Sequence, residues 1–283
     1  MTRELSKTVN DKYLSATYIK AYLECPWKFK NIYIDGMETP PSEPLLVGSA
    51  THWLMEELIK NHVEYEQIEV DDIYSILSKY VTERAKREFR DIEEEWVDRA
   101  VRLVLGFFEY NYDYINGLDI LAPEVYISKK ITDTDWMLQG TIDALVADGT
   151  IIDWKTAARR WPPFRKYKEL QPKVYRFLAL EDKGYVVTGD DVQEIDIPKE
   201  NTNTFKFNIF IKHKVISEDS YQLEEKIVVG EDDIAGVDIL AKYVADSIDD
   251  GRFPCIGPYT GAYCKTCPVR EAGKCKIYKD GGS

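Results

Sequence analysis

The 283-residue chain has no run approaching the roughly 18 apolar residues that a membrane-spanning helix needs. Its opening stretch, MTRELSKTVNDKYLS, lacks the apolar segment of a secretory signal. These absences argue against a helical membrane protein and for a cytoplasmic one with no membrane partner. Positive charge is in deficit: 37 Lys and Arg face 50 Asp and Glu, a net charge of −13. Such a balance argues against a surface that binds nucleic acid all over, and leaves room for a local basic path. There is no internal repeat, no low-complexity segment and no helicase motif. Cysteine is sparse, five residues in all, yet Cys264, Cys267 and Cys275 crowd into the C-terminal tail. In a reducing compartment such a cluster holds a metal more readily than it forms disulfides.

What is present has the composition of a globular protein, 44% hydrophobic and 31% charged. The N-terminal third reads helical. LSATYIKAYLECPWKF offers Ser15 or Thr17 as an N-cap and is interrupted at Pro26. ETPPSEP reads as a loop. VGSATHWLMEELIKNH sets Val47, Trp53, Leu54, Leu58 and Ile59 at helical spacing, and residues 71–116 predict two further helices. The pattern then changes. PEVYISKKI, WMLQGTIDALVAD and GTIIDWKT are short, β-branched and separated by turn signals, which predicts three consecutive antiparallel strands. ELQPKVYRFLALEDKG predicts a helix ending at Gly184. TFKFNIFIKHKV alternates, with Phe205, Phe207, Ile209 and Ile211 on one side and Phe210 alone breaking the polar side, so a half-buried strand is expected. SYQLEEKIVV extends the sheet, and EDDIAGVDILAKYVADSIDDG predicts a closing helix. The layout is α+β with one mixed central sheet.

Within IIDWKT, Asp153 and Lys155 stand two apart on a strand and so point to one face. The preceding strand carries GTID, and a hairpin between the two would bring Asp143 near Asp153. Converging carboxylates repel unless a hard divalent cation, Mg²⁺ or Mn²⁺, neutralises them. A lysine beside them can position or activate a water. The set suits metal-assisted hydrolysis of a phosphodiester. Taken alone, D-x-K is a very short pattern that a solvated edge pair also satisfies.

The wider pattern resembles the RecB-type nucleases of the PD-(D/E)xK superfamily. GTIDALVADGTIIDWKT is similar to their G-x-x-D, hairpin, apolar-apolar-D-x-K-T core. Gly48 to His52 resembles the upstream G-x-x-x-H motif, and Gln171 to Tyr175 the Q-x-x-x-Y motif that follows the lysine. The opening helix with its Cys-Pro and the cysteine-rich tail also match, in the family's order. The resemblance implies a restriction-endonuclease-like mixed central sheet flanked by helices. It divides the chain into a helical region over 1–119, a nuclease core over 120–250 and a cysteine region over 251–283. It implies that Asp143 and Asp153 ligate a metal with His52, and that Lys155 is catalytic. Gln171 and Tyr175, which share a helix face, would orient the lysine or a phosphate, and Glu124 would be a further acidic contributor. The implied activity is that of a Mg²⁺- or Mn²⁺-dependent DNA exonuclease acting on single-stranded ends. Its setting would be recombination or repair, CRISPR adaptation or phage DNA processing, with a helicase or other partner protein supplying any unwinding.

C-x2-C at Cys264 and Cys267, with Cys275 beyond, points to a metal that needs a fourth ligand. Proximity favours Cys255 and zinc. The resemblance, to AddB-type subunits and CRISPR-associated iron–sulfur exonucleases, favours Cys25 and a [4Fe–4S] cluster that would staple both chain ends together. The gap from Cys267 to Cys275 is longer than in those relatives, which keeps zinc open. After the D-x-K strand comes AARRWPPFRKYK, where Arg159, Arg160, Arg165, Lys166 and Lys168 are interleaved with Trp161, Phe164 and Tyr167. Basic groups among aromatics suit a track for single-stranded DNA; a solvated loop with its aromatics packed on the core is the plainer alternative. Two other functions fit parts of the pattern: a catalytically silent DNA-binding or partner subunit of the same fold, and a zinc-binding interaction protein.

Overall fold

A computed structural model describes residues 7–39, 43–60, 94–188, 191–260 and 264–278, with Leu5 and isolated positions between 69 and 79. Its strands are β1 (Tyr13–Leu14), β2 (Ile120–Lys130), β3 (Met137–Val146), β4 (Ile151–Ala157), β5 (Lys183–Thr188), β6 (Asp191–Asp196), β7 (Thr204–Ile211) and β8 (Tyr221–Val228). They form one mixed sheet in the order β6-β5-β2-β3-β4-β7-β8, with β1 added beside β3. The three predicted consecutive strands are β2, β3 and β4, and they pair antiparallel in that order. β4 then pairs parallel with β7.

Helices cover both faces. Toward one face lie α1 (Ala16–Glu24), α6 (Gln171–Leu178) and α7 (Glu231–Asp249), with Ile19, Val174, Leu178, Val237 and Ala241 packed around Ile142, Phe205, Phe207 and Ile209. Toward the other lie α3 (Glu43–Lys60) and α4 (Glu94–Tyr110), with Leu54, Met55, Val104 and Phe107 against Ile152, Trp154 and Phe210. Among the described residues no helix is long and apolar enough to cross a membrane. Of the two helices expected over 71–116, the second is α4, followed by the short α5 (Tyr112–Asn116). The first falls largely outside the described residues.

The structure corrects the reading in the second half of the sheet. The helix expected to run to Gly184 stops at Leu178, and Gly184 belongs to the β5–β6 hairpin, which the sequence reading missed. A β-carbon on Gly184 would stand 2.6 Å from Val125 and 2.9 Å from Ile197, so this glycine serves close strand packing, not a helix end. β7 is buried on both faces, not half-buried, because it lies inside the sheet under helices on either side. Phe210, which broke the expected polar side, stacks 4.9 Å from Phe107, and the buried Asn208 donates to the Tyr114 hydroxyl at 2.9 Å.

The N-terminal helices meet the C-terminal loop. Ser15 caps α1 by accepting from the Tyr18 N–H. Cys25 is extended, and Pro26 opens the next helix, α2 (Pro26–Phe29), at the position where a missing N–H costs nothing. Trp27 then donates its backbone N–H to the Pro254 carbonyl and its indole N–H to the Lys274 carbonyl at 2.8 Å. Tyr22 donates to the Arg252 carbonyl, and Thr260 to the Glu24 carbonyl. The last short helix, α8 (Pro268–Glu271), lies within this C-terminal layer.

Candidate active site

β3 is paired with β2 along its whole length, but its opposite edge is paired only at the ends. β1 takes Met137 and Leu138, and β4 takes Ala144 and Leu145. Beyond Ile152 the β3–β4 ladder opens. In that gap Asp143 Oδ2 accepts the Trp154 N–H at 2.8 Å, standing in for the backbone carbonyl that a continued ladder would supply. The splayed strands thereby bring Asp143 to Asp153.

Asp153 is fully buried. Gln171 on α6 donates to its Oδ1 at 2.6 Å, and Lys155 Nζ lies 2.7 Å from its Oδ2. Lys155 serves that oxygen as both ion-pair partner and hydrogen-bond donor. Burial pushes the Asp153 carboxyl up to about 7; the Lys155 ammonium pulls it down and the Asp143 charge pushes it up again. Burial disfavours the Lys155 ammonium, but Asp153 and Asp143 outweigh this and hold its pKa above the ordinary value. Tyr175 is held as a neutral phenol, first by burial and then by the nearby Asp143 and Asp153 charges. It donates to the Thr141 carbonyl at 2.6 Å and accepts from Gln171 Nε2 at 2.9 Å. From the other face, His52 on α3 places Nδ1 3.4 Å from Asp143 Oδ2.

Two glycines make this convergence sterically possible. A β-carbon on Gly48 would sit 2.9 Å from Thr156 Oγ1, so the glycine lets α3 approach β4, and His52, one helical turn on, reaches the carboxylates. A β-carbon on Gly140 would sit 2.7 Å from Tyr175 Cε1, so this glycine admits the tyrosine ring over β3. Glu124 also belongs here. The pairs Pro123↔Ala144 and Val125↔Ile142 set it opposite Asp143, and its φ of 50° is in the left-handed region that a glutamate rarely adopts. Only its position one strand upstream hinted at this in the sequence.

The basic segment after β4 is largely engaged with acids of the same chain. Arg160 pairs with Asp219 at 3.1 Å, Arg165 with Glu169 at 3.6 Å and Lys166 with Glu225 at 2.8 Å, while Arg159 is exposed. Trp161 corrects the expectation of a stacking surface. It is buried against Phe207, with the Arg165 guanidinium over its ring. Phe164 and Tyr167 are the outward aromatics, 74% and 61% exposed.

Far from sequence neighbourhood, Cys25 joins the tail cysteines. Cys25, Cys255, Cys264, Cys267 and Cys275 all line one cavity of about 370 Å³, with Trp27, Arg270 and Tyr278. The two rival fourth ligands therefore face the same space. Cys255 Sγ touches Cys275 Sγ at 3.8 Å. Burial and the neighbouring Cys275 push the Cys255 thiol up to about 11. Among the described residues no three His, Cys, Asp or Glu side chains are drawn into a metal-holding arrangement, in this cavity or at the carboxylates. The donor chemistry nevertheless suits metals at both places: two carboxylates, Asp143 and the buried Asp153, near enough to repel each other, and five thiols on one cavity.

The PD-(D/E)XK nuclease superfamily matches residues 13–272 of the chain. A crystal structure from Eubacterium rectale, described as a proposed exonuclease, is 13% identical over 93% of this chain and 89% of its own, with a TM-score of 0.53. A second structure, SSO0001, is 15% identical over 64% of this chain and 75% of its own; its TM-score of 0.22 carries no argument. No curated protein matches the chain.

Proposed function

The chain belongs to the PD-(D/E)XK nuclease superfamily, and from that premise we propose a Mg²⁺- or Mn²⁺-dependent enzyme that hydrolyses DNA phosphodiesters at single-stranded ends. The observation that carries this reading is the buried Asp153, with one oxygen fixed by Gln171 and the other held 2.7 Å from Lys155, close enough to Asp143 for the two charges to repel. Asp143, Asp153 and His52 are the groups that would hold the cation. A bound Mg²⁺ or Mn²⁺ supplies charge neutralisation at phosphoryl oxygens and acidifies water.

The chain's own residues do the rest. Lys155, kept as an ammonium, cannot take a proton from water. It can donate hydrogen bonds to a water's lone pair or to a phosphoryl oxygen, where charge builds in the transition state. Gln171 fixes the rotamer of Asp153, and Tyr175 fixes Gln171 against the Thr141 carbonyl. Phe164 and Tyr167, exposed in the segment that follows β4, offer stacking surfaces. The Arg160–Asp219 pair is exposed, and such pairs are weak enough to exchange for phosphate. The C-terminal cavity, in this reading, takes a structural [4Fe–4S] cluster on Cys25, Cys264, Cys267 and Cys275, tying α1 to the tail. The biological setting proposed is DNA recombination or repair, CRISPR adaptation or phage DNA processing, with a partner protein to unwind duplex.

End-labelled single- and double-stranded DNA, incubated with Mg²⁺, Mn²⁺ or a chelator, tests the activity directly. Cleavage should need the cation, favour single-stranded ends and fall at least about 10²-fold in Lys155→Ala. Undiminished cleavage by that variant would remove the assignment.

A further inference from the structure

The cavity holds five thiols, one more than a [4Fe–4S] cluster takes. The surplus thiol is in contact with a proposed ligand: Cys255 Sγ and Cys275 Sγ are 3.8 Å apart, twenty residues separating them in the chain. Both lie in irregular segments, Cys255 in the loop after α7 and Cys275 after α8. The other three are held by regular structure. Cys25 joins two helices, Cys264 begins a 3₁₀ turn, and Cys267 is the N-cap of α8. A disulfide requires sulfurs about 2.05 Å apart. Small rotations in two irregular segments can supply that approach more readily than any move of Cys25, Cys264 or Cys267.

We propose that Cys255 and Cys275 form a dithiol–disulfide pair, and that its oxidation withdraws Cys275 from the metal cavity. The second half rests on the cluster reading above; the first does not. The oxidant is a low-molecular-weight disulfide such as oxidised glutathione. The Cys275 thiolate attacks it, forming a mixed disulfide and releasing one glutathione thiolate. Cys255 gives its proton to the released glutathione thiolate and attacks the Cys275 sulfur of that mixed disulfide, forming the Cys255–Cys275 bond and releasing the second glutathione. Two electrons leave the pair and reduce one glutathione disulfide to two thiols.

The test uses the full chain. Metal-free protein is incubated with oxidised glutathione, the remaining thiols are alkylated, and peptides are mapped without reduction. The expected product is a Cys255–Cys275 crosslink that a dithiol reductant reverses and that Cys255→Ser lacks. Crosslinks joining other cysteines, stable glutathione adducts or five alkylated thiols would each overturn the pair. In a second arm, iron-loaded wild type and Cys255→Ser are exposed to the same oxidant and released iron is followed with a chromogenic chelator. Wild type should release iron several-fold faster, from equal starting iron content. Equal rates, or a Cys255→Ser protein that purifies without iron, would overturn the withdrawal of Cys275. If wild type itself carries no iron while the crosslink forms, the cluster reading fails, the withdrawal half falls with it and the thiol pair stands.

Discussion

Asp143 Oδ2 accepts the backbone N–H of Trp154 at 2.8 Å, so one carboxylate both completes a β-ladder and faces the candidate metal site. The two roles separate by substitution. Asp143→Asn keeps an acceptor oxygen, and should melt near wild type while losing cleavage. Asp143→Ala leaves a buried N–H unmet and should also lose about 1–3 kcal/mol of stability. Thermal melts beside a nuclease assay check this; an Asn variant that cleaves normally would contradict the metal role.

At the proposed site, Asp153 should make metal binding pH-dependent. Its folded carboxyl is raised from the ordinary 3.8 to about 7. Between those values the folded, metal-free chain keeps a proton that the unfolded chain has lost, so its stability falls as pH rises through that window and is lowest above it. A cation needs the carboxylate, so binding below pH 7 must expel the proton. Mn²⁺ affinity should fall by up to about tenfold per pH unit there. Titration calorimetry in two buffers of different ionisation enthalpy reads the released proton; a flat affinity from pH 5.5 to 7.5 would refute the coupling.

Gly140→Ala should be costly, since its new methyl would lie 2.7 Å from Tyr175 Cε1 and a buried ring must move. A loss of about 1–3 kcal/mol is expected from the denaturant midpoint. Cleavage should fall too, because the ring that moves carries the hydroxyl bound by Gln171. An unshifted midpoint would show that the ring is not held there.

Phe164→Ala and Tyr167→Ala should each weaken single-stranded DNA binding by about tenfold, the worth of one stacked base. Trp161→Ala should instead lower stability, because its ring is buried on Phe207. Fluorescence anisotropy on the Lys155→Ala background separates binding from cleavage, and equal affinities would exclude the two aromatics from the DNA path.

Cys25→Ala should purify without the brown colour of an iron–sulfur cluster and with lower stability, since Cys25 lies where α1 meets the tail. Cys255→Ala should keep its colour and iron content. The reverse pattern in iron analysis would replace the staple with a local C-terminal knuckle.

Local chemistry was legible from the residues alone. Short β-branched runs with turn signals marked β2, β3 and β4, because strand alternation and turn preference are properties of neighbouring residues. Ser15 and Pro26 marked the start and end of α1 for the same reason. Asp153 and Lys155 shared a face by strand period, and C-x2-C set Cys264 and Cys267 close together by spacing. Other features depended on contacts between distant segments. Whether β7 was half or wholly buried was decided by which helices cover it, not by its own alternation. Gly184 read as a helix end because nothing local announced Val125 and Ile197 above it. Trp161 looked like a stacking platform until Phe207 was beside it. His52 could be told from the other histidines only by a resemblance, since its reach to Asp143 depends on Gly48 letting α3 close on β4. The sequence offered Cys25 and Cys255 as alternatives. Tertiary structure set both on one cavity, because the hydrogen bonds of Tyr22 and Trp27 close the first helices onto the last loop.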